Sequence, residues 1–242
     1  MQPAGLDAWL GPKLIVADGY GPVIPGWELD VSLNQQGSSK TFMRLLEQVV
    51  KRWPACEMLT YLQDDVVLAR NALTYMRNYP IDENLAFVSW FSHWPAFGIA
   101  EQLHVMPVKS FSMSLALTIP RRTIQALLDI GLQRWPYRHQ CDLLFRRLPK
   151  AHFAVHVPNL VDHVGENNSA CAHDRLGPRC SKIFPGADFD ALTLEQQAHA
   201  YASGPRFLQP SAHEHRPEDA ALQPAAVDRA AGLKVKTGLA GN

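Results

Sequence analysis

The chain has 242 residues, of which 47% are hydrophobic, enough to fill the core of one large domain. Lysine plus arginine number 23 and aspartate plus glutamate number 23, so the formal net charge is zero and no dense basic block marks a general nucleic-acid binder. The opening stretch MQPAGLDAWLGPK lacks the charged-then-apolar pattern of a secretory signal, and LAFVSWFSHWPAFGIA is shorter than a bilayer span and broken by His93 and Pro95. The expected location is cytoplasmic, the membrane periphery included, with no transmembrane segment.

The first element is KLIVADG, a short apolar run closed by Asp18 and Gly19, which reads as a strand buried on both faces. From Ser39 to Trp53 the apolar residues Phe42, Leu45, Leu46, Val49, Val50 and Trp53 recur at i, i+3, i+4, i+7, i+8 and i+11. That spacing predicts a helix, capped by Ser38 or Ser39 and stopped by Pro54. EMLTYLQDD is then a second buried strand, ARNALTYMRNY a helix through Ala72, Leu73 and Met76, and LAFVSWF a third strand. SFSMSLALTIP gives a fourth strand, and Pro120 opens a helix lined by Ile124, Leu127 and Leu128.

HQCDLLFRRL follows as a helix burying Cys141, Leu144, Phe145 and Leu148. HFAVHVPNLVDHVG starts as a strand, with Phe153, Val155 and Val157 alternating against His152, Ala154 and His156, and turns irregular after Pro158. Strands alternating with helices predict an α/β domain with parallel strands. From about residue 201 to 242 the composition turns to Ala, Pro, His and Gly without periodicity, and a disordered tail is expected after a domain over 1–200.

The four cysteines, at 56, 141, 171 and 180, form no C-x-x-C pair, and reduced thiols are expected. Cys171, His173 and Cys180 are near in sequence, in a spacing that matches no common zinc site.

The chemistry concentrates at YLQDDVVL. Asp64 and Asp65 repel one another and resist burial, yet they sit where the strand over 58–63 ends, and ligands of open α/β sheets bind beyond the carboxyl ends of strands. Two carboxylates suit a hard divalent cation that keeps positions open for water or substrate phosphates. A solvated turn or a helix cap is the plainer alternative. A second polar cluster, PNLVDHVGENNSA, presents His163 ahead of Gly165, and a neutral imidazole there would complete a carboxylate-bound metal site. In FVSWFSHWPAF core packing is expected of all but His93 and Trp94.

Three segments in order, LQDDVVL, SFSMSLALTIPRRTIQALL and PNLVDHVGENNSA, resemble the metal-dependent nucleotide-sugar glycosyltransferases of the GT-A fold, over roughly residues 5 to 190. LQDDVVL corresponds to a variant of their D-x-D motif, with Gln63 where many relatives carry an acid. The resemblance implies a GT-A-like, Rossmann-related mixed sheet, mainly parallel and flanked by helices. It implies transfer of a sugar from a nucleotide-sugar donor to a hydroxyl of a glycan, lipid or protein, with Mn²⁺ or Mg²⁺. Asp65 and His163 then ligate the metal, Asp64 contacts the sugar nucleotide, and Asp18 is a second candidate for that contact. Asp142, in RHQCDLLF, is the acceptor-side acid, a general base if the reaction inverts. AGLDAWLGPKLIVADG corresponds to the end of the family's first helix followed by its second strand, so an N-terminally truncated domain lacking the first strand is expected. The residues also allow a metal-dependent phosphoesterase, or a relative that binds without turnover.

Overall fold

Four of the expected strands and one more hydrogen-bond into a single five-stranded sheet in a computed structural model of the protein, which describes residues 11–18, 23–32, 37–93, 103–112, 114–131, 141–164 and 180–194. In chain order the elements are β1 (Leu14–Asp18), β2 (Glu28–Ser32), α1 (Ser38–Arg52), β3 (Met58–Leu62), β4 (Val66–Leu68), α2 (Ala72–Asn78) and β5 (Leu85–Ser89). Then follow β6 (Leu103–Pro107), β7 (Ala116–Pro120), α3 (Arg121–Ile130), α4 (Asp142–Phe145), β8 (His152–His156) and β9 (Val161–His163). The tail over 201–242 lies outside the described residues.

The main sheet runs β3-β7-β5-β8-β6, and β1-β2 and β4-β9 form separate pairs. The fold is therefore mixed α/β, but the expectation of a mainly parallel sheet is corrected. Within the main sheet β5-β8 is parallel, whereas β3-β7, β5-β7 and β6-β8 are antiparallel. The alternation of strands and helices gives β3, β5 and β8 the common direction expected, but β7, expected parallel to them, runs the opposite way. Adjacency is missed as well: β7 inserts between β3 and β5. Parallel crossovers leave room for such an insertion, and hydrophobic runs alone do not say which neighbours meet.

Helix α1 forms where its stripe predicts, with Phe42, Met43, Leu45, Leu46 and Val49 buried. The expected serine cap is absent. Gly37 occupies the N-cap at φ 86°, a left-handed turn that glycine adopts without steric cost, and Ser39 is buried inside the helix. Lys51 and Arg52 lie in the last turn, where cations complement the carbonyl end of the dipole. The helix expected over 139–148 is shorter, and only Asp142–Phe145 holds helical geometry among its described residues.

Two apolar layers sandwich the sheet. One joins α1, α3 and α4 to Leu117, Ile119, Phe153 and Val155. Phe87 is its hub, with ring centroids 4.7 Å from Phe111, 4.7 Å from Phe145 and 5.1 Å from Phe153. The other layer packs Leu73, Tyr75 and Met76 of α2 against Val88, Trp90, Ala116 and Ala154. The strand β8 thus buries both faces, and His156, on the face expected to be polar, is inside. Tyr75 donates its hydroxyl to Nε2 of His156 at 3.1 Å, while Nδ1 donates to the Pro158 carbonyl at 2.7 Å. Among the described residues no helix is long and apolar enough to cross a membrane.

Two expected outcomes follow from this packing. Burial holds the His156 imidazole down at about 4, against the raising effect of the Pro158 carbonyl. An unfolded histidine protonates near 6.5, so the unfolded chain gains a proton first as pH falls, and this group lowers stability by about 3 kcal/mol between about pH 7 and pH 4. Urea unfolding should show that slope reduced in His156→Gln relative to the unaltered chain. On β3, residues 57 and 63 bond to β7, through Arg121 N–H to the Glu57 carbonyl at 2.7 Å and Gln63 N–H to the Leu115 carbonyl at 2.9 Å. By strand alternation the main-chain groups of Thr60 and Leu62 face the open edge, so hydrogen exchange of their amides should be at least about tenfold faster than that of Leu59 and Tyr61.

Candidate metal and sugar-nucleotide site

The strand β3 ends at Leu62, and the Gln63 N–H bond to Leu115 carries it one residue further before the chain bends at Asp64 and Asp65. It then re-enters as β4, which pairs antiparallel with β9 in the register Val66↔His163, Val67↔Asp162 and Leu68↔Val161. Val164 N–H closes the ribbon on the Asp65 carbonyl at 2.9 Å. This short ribbon brings together side chains 98 residues apart in sequence. Nε2 of His163 stands 3.0 Å from Oδ2 of Asp65.

The pair has the character of a ligand set. The His163 side chain is only 10% exposed and that of Asp65 37%, so the imidazole is enclosed while the carboxylate keeps access to solvent. Oδ1 of Asp65 and Nδ1 of His163 are both buried without a hydrogen-bond partner. Buried polar atoms are normally satisfied, and the orphaned Oδ1 of Asp65 lies on a carboxylate that a cation could engage, whereas Nδ1 of His163 lies across the ring from the Nε2 that faces Asp65 and would not be reached by an ion between the two side chains. The donor chemistry fits one: carboxylate oxygen and neutral imidazole are common ligands of divalent cations, and two cis donors at about 2.1 Å from an octahedral ion stand about 3 Å apart. Among the described residues there is no group of three or more His, Cys, Asp or Glu that could hold a metal. An ion here would have two protein ligands and keep its other positions for water and substrate oxygens, as Mg²⁺ commonly does.

The other expected site residues fall at different distances from this pair. Asp64 is its chain neighbour and is exposed. Asp142 is the first residue of α4, with Oδ2 4.0 Å from Nη2 of Arg146. Its chain neighbour Cys141 meets the Ser114 hydroxyl and lies close enough to Tyr61 to raise its ionisation. Asp18 ends β1 opposite Ser32, on the separate two-stranded sheet. Arg121 and Arg122 are engaged at the other end of the main sheet, donating to carbonyls of Trp53, Asp82 and Leu85. Trp94, Cys171 and His173 lie outside the described residues.

Sequence reading overlooked two features. Tyr61 is held by a side-chain hydrogen bond with Gln63, and its hydroxyl is pushed well above its usual ionisation by burial first, then by Cys141, Asp65 and Asp64. The phenol is thus neutral and within electrostatic reach of both aspartates. Its position, four residues before Asp65 on the same strand and turn, was the available signal. Asp162 stands in the sequence only as one member of the polar cluster around His163, with no pattern of its own.

No family model matches the chain, and no curated protein matches it.

Proposed function

We propose that this chain is a metal-dependent glycosyltransferase, moving a sugar from a nucleotide-sugar donor to an acceptor hydroxyl. The observation that carries the reading is the Asp65–His163 pair, 3.0 Å apart just beyond the carboxyl end of the edge strand β3, with a second, unpaired buried oxygen on the Asp65 carboxylate. Asp65 and His163 would hold Mn²⁺ or Mg²⁺, which supplies charge neutralisation to a diphosphate leaving group. Asp64, exposed beside them, is placed to meet the polar part of the donor. Asp142 takes the hydroxyl proton of the acceptor if the configuration at the sugar carbon inverts. Tyr61, kept neutral, hydrogen-bonds Gln63 and steadies the turn that bears both aspartates. A phosphoesterase would call for a denser set of His and Asp ligands, which the described residues do not offer.

Calorimetric titration of UDP and GDP into the folded protein, with Mn²⁺ and again with EDTA, tests the reading. Metal-dependent binding should weaken at least about tenfold in Asp65→Ala and in His163→Ala, the loss expected when a ligand of a two-residue site is removed. Circular dichroism should leave the fold unchanged in both. Equal affinity in Asp65→Ala, or in EDTA, would reject the assignment.

A further inference from the structure

The hydrogen bonds around β9 engage more than the metal-binding candidate. Oδ1 of Asp162 accepts two main-chain N–H groups, that of His163 at 2.9 Å and that of Ser181 at 2.6 Å. Asn159, fully buried, donates from Nδ2 to the Ser92 carbonyl at 2.9 Å and to the Ser181 hydroxyl at 2.8 Å. Its own N–H bonds the Ile183 carbonyl at 3.2 Å, and Ile183 N–H bonds the Ser181 hydroxyl at 3.1 Å. Cys180 donates its thiol to the His163 carbonyl at 3.8 Å.

We propose that Asp162 is a positioning residue for the Asp65–His163 site: its carboxylate latches residues 180–183 to β9 and thereby fixes the backbone from which the His163 imidazole projects. The inference rests on the reading of that pair as a metal site. Residues 180–183 belong to no strand, so their main chain has no ladder to set its register. The Asp162 carboxylate as acceptor and the Asn159 side-chain amide as donor take that role instead. A carboxylate accepting main-chain N–H groups forms charge-assisted bonds, stronger than those of a neutral acceptor. His163 is consequently held at three places: its N–H by Asp162, its carbonyl by Cys180 and its ring by Asp65. With both main-chain groups engaged, the imidazole approaches Asp65 from one direction, the preorganisation that a two-ligand site needs. A metal ligand oriented by partners behind it commonly loses affinity by about ten- to a hundredfold when those partners are removed.

The test uses the full chain and the variants Asp162→Ala and Asp162→Asn. Mn²⁺ affinity is read from the electron paramagnetic resonance of the free ion, and hydrogen exchange is followed over 159–164 and 180–184. Asp162→Ala should lose protection at Ser181 and His163 and bind Mn²⁺ about tenfold more weakly. Asp162→Asn retains an acceptor oxygen and should stay within about threefold of the unaltered chain on both readouts. Unchanged protection in Asp162→Ala would overturn the latch, and so would unchanged Mn²⁺ affinity in a chain that binds the ion. If the unaltered chain binds no Mn²⁺, the metal reading fails while exchange at Ser181 and His163 still decides the latch. Should Asp162→Ala fail to fold, Ser181→Pro removes the same bond from the other side and is read from protection at His163 and from Mn²⁺ affinity, since a proline has no amide hydrogen to follow.

Discussion

The three-residue ribbon of β4 against β9 is the constraint on which the rest of the site depends. It closes the distance between Asp65 and His163, and it does so with main-chain bonds that neither side chain contributes to. Those bonds form because the segments bearing the two residues are apolar at alternate positions: Val66, Leu68 and Val161 are buried in the layer that α2 completes. Hydrophobic burial therefore positions a pair of polar side chains that would gain nothing from burial themselves. The polar ends of the ribbon emerge at its rim, where Asp65 retains access to solvent and His163 does not.

Around that ribbon the two faces of the main sheet are built differently. The α1, α3 and α4 side is an aromatic core centred on Phe87, in which edge and offset contacts fill space densely. The α2 side carries polar groups inside it, with Tyr75, His156, Trp90 and Thr118 hydrogen-bonded. Trp90 donates to the Thr118 hydroxyl at 2.8 Å while Tyr75 and Pro158 satisfy both nitrogens of His156. A satisfied polar network in low dielectric is rigid, because any movement leaves a buried group unpaired. The site thus rests against the more specific of the two layers.

Several elements were legible because local forces decide them. The stripe from Phe42 to Val49 makes α1 whatever lies beside it, and Pro120 marks the passage from β7 into α3. The pairing of Asp65 with His163 was suggested by the chemistry of two polar clusters and by a resemblance in the order of three segments, and the geometry brings those two side chains together. Asp142 was placed on a helix correctly, but its approach to Arg146 is a matter of the next turn and could not be weighed from type alone. The Ser38 or Ser39 cap failed because glycine at position 37 offered a turn that needed no side-chain acceptor.

What the sequence by itself determined is the burial of β5, β7 and β8 and the common direction of β3, β5 and β8, since apolar periodicity and the helices between strands act over a few residues at a time, whereas β1 and β3, expected buried on both faces, are only partly covered. What only the tertiary structure decided is who stands beside whom. The insertion of β7 between β3 and β5, the pairing of the short strands β4 and β9, and the burial of His156 all depend on contacts between residues far apart in the chain. A run of five apolar residues carries no mark of its neighbour. Three-residue strands carry too little pattern to announce themselves, and the carboxylate of Asp162 acquires its two N–H partners only when residues 180–183 fold back onto β9.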